Sequence, residues 1–274
     1  MYLRTIHAEF HLPTLRRLIR SHPLGVLTTA IPSPAQSFPL IQCSHIPWLL
    51  DINDESSETE LGVLRGHMTR VNPQSKAMIE AATAQIEAQK NSGKEIPSGP
   101  TTLDTEVMVL FTSPVDHYVT PKFYTTTKPA TGKVVPTWNY SAVQIYGTLK
   151  LYYDTSSAST SEFLSKQIAD LSRYGEEEVM KDQEPWTVQH APERYVDLLK
   201  KSIIGVEIEV KSMAGKWKMS QEMGEGDREG VAKGFDERVG GELGIEMAET
   251  VKERGELRKA KMEEERKARE SAKS

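Results

Sequence analysis

The sequence predicts a mainly β protein: an antiparallel barrel with peripheral helices, a helical insertion and a charged helical C-terminal tail. Three observations predict it. Residues 143–153 alternate, with Val143, Ile145, Gly147, Leu149 and Leu151 on one face and Gln144, Tyr146, Thr148 and Lys150 on the other. That is the period of a half-buried strand. Residues 202–211 repeat the pattern, with Val206, Ile208 and Val210 opposed to Glu207 and Glu209. The strand-like runs fall at irregular spacing, with helices decorating them, which favours an antiparallel barrel over a βαβ sheet.

The elements follow in order. Leu12, Leu15, Leu18 and Ile19 recur at helical intervals with arginines between them, an amphipathic helix over residues 12–21. His22-Pro23 ends it, because proline disfavours helical backbone in the residue before it. Residues 25–29, rich in Val, Leu and Thr, read as a strand. A Pro/Ser loop at 31–39 leads to an extended run at 40–50, bent at Pro47. Residues 53–60 form an acidic turn and 61–69 a third strand. Residues 75–90 have a strongly helical composition, closed by Gly93 and the Pro/Ser/Gly cluster at 97–100. This segment reads as an insertion, residues 74–102. Strand character resumes at 106–111, and residues 161–171 and 192–201 read as helices. A turn at Ala214-Gly215 is expected to separate 202–211 from a short strand at 217–220. The barrel domain is thus expected over residues 1–235, and a tail over 236–274. Residues 252–273 lack a sustained apolar stripe and are expected to be a solvated helix or disordered.

Composition excludes several classes. A net charge of −5 argues against nucleic acid as the main partner, since neutralising phosphates needs a basic face. Cys43 is the one cysteine, so neither an internal disulfide nor a multi-cysteine metal site can form. It lies in an apolar strand and is expected to be packed. The chain is expected in a reducing compartment, the cytoplasm, with the nucleus left open. No apolar run is long enough to span a membrane, and residues 1–20 carry charges throughout, unlike a secretory signal. No glycine-rich phosphate loop, nucleophile elbow, paired-carboxylate signature or helix-turn-helix with a basic recognition helix is present.

Three stretches carry residue types that packing alone explains poorly. In residues 64–73, strand alternation puts Arg65, His67 and Thr69 on one face, with Arg70 and Asn72 at the strand end. A guanidinium, a hydroxyl and a loop of N–H donors suit a phosphate monoester, and an edge strand with exposed polar residues would look the same. In residues 132–140, Lys133, Thr137, Trp138, Asn139 and Tyr140 could line a planar ring, or Trp138 and Tyr140 could cap the barrel end. In residues 215–221, Lys216, Lys218 and Ser220 share one face, while Trp217 and Met219 share the other. That basic face suits phosphate, a partner subunit, or an edge protected by lysines.

In order along the chain, residues 22–25 (HPLG), 44–47 (SHIP), 64–67 (LRGH), Asn72-Pro73, 132–140, 191–210 and 215–221 resemble the PaiB-type FMN-binding negative transcriptional regulators. The resemblance covers roughly residues 1–235 and is interrupted by the insertion. It implies a split β-barrel of the flavin-reductase and pyridoxamine-oxidase type, a homodimer, and FMN in the cleft between protomers. Carried over by position, it implies a phosphate group at Arg65, Thr69 and Arg70, with His67 beside them. Lys133, Thr137, Trp138, Asn139 and Tyr140 become ring and ribityl contacts, and Gln221 reaches the flavin of the other subunit. Glu222 stands where the family often has asparagine. The regulator reading has two alternatives: an FMN-dependent oxidoreductase acting on a small molecule, and a haem-handling barrel with His67 as ligand. The tail at 252–273 is a docking surface for a protein partner in the regulator reading, and direct DNA binding is not expected.

Overall fold

Side chains that alternate along an extended chain have to share one face of a sheet, and in the computed structural model they do. The structure describes residues 1–94 and 99–271. In chain order the elements are β1 (Ala8–Glu9), α1 (Leu12–Ser21), β2 (Leu24–Ala30), β3 (Ile41–Pro47), β4 (Leu49–Asp51), β5 (Val63–Thr69), α2 (Pro73–Asn91) and β6 (Thr101–Thr112). They continue with β7 (His117–Val119), α3 (Thr127–Thr131), β8 (Thr137–Tyr152), α4 (Ala158–Tyr174), α5 (Glu193–Lys201), β9 (Ile203–Lys218), α6 (Glu225–Gly234) and α7 (Gly241–Ser271). Contacts group the chain into two compact units. One holds His11–Phe111 and Gln144–Met213; the other holds Met1–Phe10, Thr112–Val143 and Ala214 onward.

The first unit is the sheet. Its strand order is β3-β2-β6-β8-β9-β5-β4, with β2 antiparallel to β3 and β6, and β5 antiparallel to β4 and β9. Trp48 alone separates β3, the first strand of this order, from β4, the last. Edges tied by one residue require the sheet to curl back on itself, as in a barrel. The Trp48 indole is buried where Gly25 and Gly66 pass beneath it. A Cβ on Gly25 would lie 2.9 Å from the ring, and one on Gly66 would lie 3.1 Å from it. Helix α1 buries its predicted stripe, Leu12, Leu15, Leu18 and Ile19. Arg16 on the same helix is also buried, and it donates to the carbonyls of Ser57 (2.8 Å) and Glu60, which holds the acidic turn in place.

Helix α2 is anchored more firmly than an insertion requires. Asn72 caps it by accepting from Gln74 N at 2.8 Å, with Pro73 in the first turn. Gln74, Ser75, Ala77, Met78 and Ala82 are buried, so the first half of the helix belongs to the core. The helix ends at Asn91, just before Gly93, and Pro97 and Ser98 of the cluster expected to close it lie outside the described residues.

The second unit carries the ends of β8 and β9, the two short strands β1 and β7, and the C-terminal helices. Ala8 and Glu9 pair with Lys216 and Gly215, and residues 117–119 pair with 137–139. The turn expected at Ala214-Gly215 does not form. β9 runs through it as one strand of 16 residues, because Gly215 is held extended by its partner Glu9. Cys43 also departs from expectation: it faces outward on β3 and is exposed. The tail is helical. Met247, Ala248 and Val251 of α7 are buried, whereas residues 259–271 are exposed. Among the described residues no helix is long and apolar enough to cross a membrane.

Candidate functional site

On β5 the alternation holds: Leu64, Gly66 and Met68 are buried on one side, and Arg65, His67 and Thr69 share the other. The three are not equivalent. Arg65 is only 6% exposed, and each of its three guanidinium nitrogens is engaged. It pairs with Asp51 through Nε and Nη2, with Asp170 through Nη2 at 2.9 Å, and with the Gln167 amide oxygen through Nη1 at 3.1 Å. Asp170 and Gln167 come from α4, which therefore covers this part of the strand. Burial works against the charge on Arg65, but the two carboxylates outweigh it and raise its pKa. Four of its five N–H donors are engaged in this way, so in this arrangement it organises carboxylates.

His67 is largely buried, its Nδ1 has no hydrogen-bond partner, and burial lowers its pKa. Thr69 is exposed. Arg70 is half-buried; one Nη donates to the carbonyl of Tyr153, and its buried Nε has no partner. The strand end thus offers two unsatisfied polar atoms and one exposed hydroxyl, a set that suits an acceptor-rich group.

The aromatic corner lies in the second unit. Pro136 precedes β8, and the strand presents its residues alternately. Trp138 is 51% exposed, and its orientation is fixed. Its Nε1 donates to Asp116 at 2.8 Å, and Tyr118 packs edge-on at 6.2 Å between ring centres. Asn139 points the other way and is fully buried, bonded to the Ser220 hydroxyl at 3.0 Å. Tyr140 returns to the outer face, with Lys216 Nζ 5.4 Å from its ring centre. Lys218 donates to the Thr137 hydroxyl and to the carbonyl of Trp138 at 2.9 Å. Burial lowers the Lys218 pKa, and Lys216 adds to the effect against Glu222. Lys133 lies outside this cluster, on an exposed segment. Gln221 is buried, and its side chain folds back onto Met219 N and the carbonyl of Trp217.

Of the residues expected at the aromatic corner, Trp138 and Tyr140 share the outer face of β8, with Lys216 beside Tyr140, and Thr137 is tied to Lys218 at the start of the strand. Ser220, expected on the basic face with Lys216 and Lys218, is instead buried in the turn after β9 at a φ of 59° and is tied to Asn139. Sequence reasoning missed Arg254 and Arg258 of α7, which reach Trp217 and the turn after β9. Met247, Val251, Arg254 and Arg258 recur at helical spacing, a signal that mixed apolar and basic types concealed. Among the described residues no cluster of His, Cys, Asp or Glu could hold a metal ion.

The family described as "Putative FMN-binding domain" matches residues 1–212 and leaves the end of β9 and α6–α7 outside the match. An uncharacterized protein of Aspergillus fumigatus is 53% identical over 272 residues, covering 95% of this chain and all of the relative. An uncharacterized protein of Emericella nidulans is 56% identical over 263 residues, again covering 95% of this chain and all of the relative. Among solved structures, a conserved hypothetical protein of Mycobacterium tuberculosis aligns with a TM-score of 0.43 at 11% identity. That alignment covers 82% of this chain and 94% of the other. A flavocytochrome of Azotobacter vinelandii aligns with a TM-score of 0.42 at 8% identity, covering 79% and 72%.

The side chains in place suit such a cofactor. A flat aromatic surface exposed at Trp138, bordered by Tyr140 and two cations, matches a planar heterocycle with acceptor atoms at its rim.

Proposed function

The chain belongs to the FMN-binding family and takes FMN as its cofactor, and from this premise we propose that the Trp138–Tyr140 corner holds the flavin ring. The observation that carries the reading is the exposed Trp138 indole, held in orientation by Asp116 and Tyr118. A ring face that is already ordered loses little side-chain entropy on binding. Lys216 and Lys218 supply positive charge beside it, and Thr137 supplies a hydroxyl. In the sheet unit, taken by itself, His67, Thr69 and Arg70 are the residues we propose for binding a phosphate. Arg65 is left out of that group because four of its donors are already taken by Asp51, Asp170 and Gln167.

In this reading the protein works as a homodimer of the negative-regulator type. Its output passes through a protein partner, because a net charge of −5 disfavours direct contact with DNA. FMN, when bound, supplies a two-electron acceptor. A second reading, a flavin-dependent oxidoreductase, is favoured by Lys218. A half-buried ammonium whose proton is held less tightly than usual, next to the ring surface, can stabilise negative charge that develops there.

The test is a visible spectrum of the purified protein followed by titration with FMN. The expected result is a yellow protein whose affinity falls about tenfold in Trp138→Ala, the worth of one lost aromatic contact. Arg70→Ala checks the phosphate group in the same titration. Turnover with NADH or NADPH separates the oxidoreductase from the regulator. A colourless protein that takes up no FMN overturns both readings.

A further inference from the structure

The turn that follows β9 is held from outside by the C-terminal helix. Arg258 of α7 donates from one Nη to the carbonyl of Gln221 and, at 3.3 Å, to that of Met223. Arg254, one turn earlier, is buried with its guanidinium 4.4 Å from the Trp217 ring centre, and it pairs with Glu9 at 2.6 Å. A guanidinium has donors enough to satisfy two carbonyls at once, and a charged donor strengthens each bond.

The turn needs such a hold. Ser220 is a non-glycine residue in the left-handed region, with a φ of 59°, a conformation that persists only where surrounding contacts enforce it. Its hydroxyl is the partner of Asn139, and Asn139 stands between Trp138 and Tyr140 on β8. The contacts run without a gap from Arg258 to the Gln221 carbonyl, to Ser220, to Asn139, and so to the two aromatic residues that flank it.

We propose that α7 is a positioning device for the aromatic corner, acting through Arg258 on the turn at 220–223. The inference rests on the proposed role of that corner in holding FMN. Arg258 is a positioning residue: it fixes the backbone that fixes Asn139, and it touches no flavin-facing group itself. The tail, which lies outside the family match, thereby sets how well the corner is formed. Any event that lifts α7 from the turn lowers flavin affinity.

The experiment uses the full chain and two readouts. Hydrogen exchange is followed in the apo protein over residues 217–223, where the Met223 amide donates to Ser220 O at 3.0 Å. FMN is then titrated. In Arg258→Ala, exchange in this segment is expected to rise about tenfold and FMN affinity to fall about tenfold, the effect of losing a charged donor. Arg258→Lys keeps one donor and is expected to recover part of both, and it also serves if the alanine variant fails to fold. Lys259→Ala is the control, since Lys259 pairs only with Glu225 and Glu256 among the described residues. It is expected to move neither readout. Unchanged exchange in a folded Arg258 variant overturns the proposal, as does faster exchange with unchanged FMN affinity, or an equal effect from Lys259→Ala. If the wild-type chain binds no FMN while exchange still responds to Arg258, the flavin reading fails and the mechanical link to the turn stands.

Discussion

Arg65 Nη2 donates to Asp170 Oδ2 at 2.9 Å, joining the centre of β5 to α4. Asp51 holds the same guanidinium from the neighbouring strand. This geometry gives Arg65 a load that a phosphate ligand would not carry. Arg65→Ala leaves two carboxylates without their shared cation, and it should lower stability by about 3 kcal/mol, the low end for breaking a buried pair, because Asp51 is partly solvated. Urea denaturation measures this. FMN affinity of the folded variant should stay within about twofold of wild type, a change of less than about 0.5 kcal/mol. A large loss of affinity at unchanged stability would instead make Arg65 a ligand to the phosphate. Lysine is a poor replacement here, since one point donor cannot bridge Asp51, Asp170 and Gln167 together.

That relationship also marks where the sequence stops being legible. The strands at 143–153 and 202–211 could be read because alternation is a local property, and burial follows it except at Gln144 and Gly205, which are buried on the opposite face. The corner could be read because its aromatic and polar residues are adjacent in the chain. The environment of Arg65 could not, since Asp170 lies far along the chain and on a helix whose face was not predictable. The supposed turn at Ala214-Gly215 failed for a related reason. Glycine was weighed as a breaker, and the strand β1 that keeps it extended comes from the opposite end of the chain. The tail was judged solvated because its apolar residues are few. That reading covered residues 252–273, of which 259–271 are exposed; ahead of it Met247, Ala248 and Val251 are buried, and Arg254 carries the buried stripe into it.

Gly205 on β9 lies opposite His67, beneath the stacked pair Tyr152 and Phe163, whose rings are 3.9 Å apart. A Cβ at this position would stand 2.4 Å from the Phe163 ring. Phe163 cannot retreat without losing its stack and shifting α4. Gly205→Ala should therefore destabilise by about 2 kcal/mol through overpacking, detected as a lower thermal midpoint. A neutral outcome would mean that α4 moves freely over the sheet.

Asp227 in α6 accepts from the Thr126 amide at 2.8 Å, the Thr127 amide at 3.1 Å and the Thr127 hydroxyl. Burial raises its pKa, but these donors outweigh that effect and hold it below 3.8. A carboxyl whose folded pKa is depressed contributes stability that is fully present above the unfolded value. That contribution disappears as pH falls through the folded value. Asp227→Ala should cost about 2 kcal/mol at neutral pH, because two amides lose a charged acceptor. The difference between variant and wild type should shrink below pH 3.8, and urea melts across that range measure it.

His67 has the opposite dependence. Burial lowers its pKa from 6.5, and its Nδ1 finds no partner that would favour the charged form. Above 6.5 the imidazole is neutral in both the folded and unfolded chain, so it contributes no pH dependence there. As pH falls below 6.5 the unfolded chain takes up a proton that the folded chain resists, and stability declines until the folded value is passed. His67→Gln, which keeps a polar side chain without a titrating group in this range, should flatten the stability curve between pH 6.5 and the folded pKa. If His67 stands beside a bound phosphate, FMN changes the sign of the shift, because an anion favours imidazolium. NMR titration of the histidine with and without FMN should then show its pKa rise on binding, and an unmoved value would remove His67 from the phosphate group.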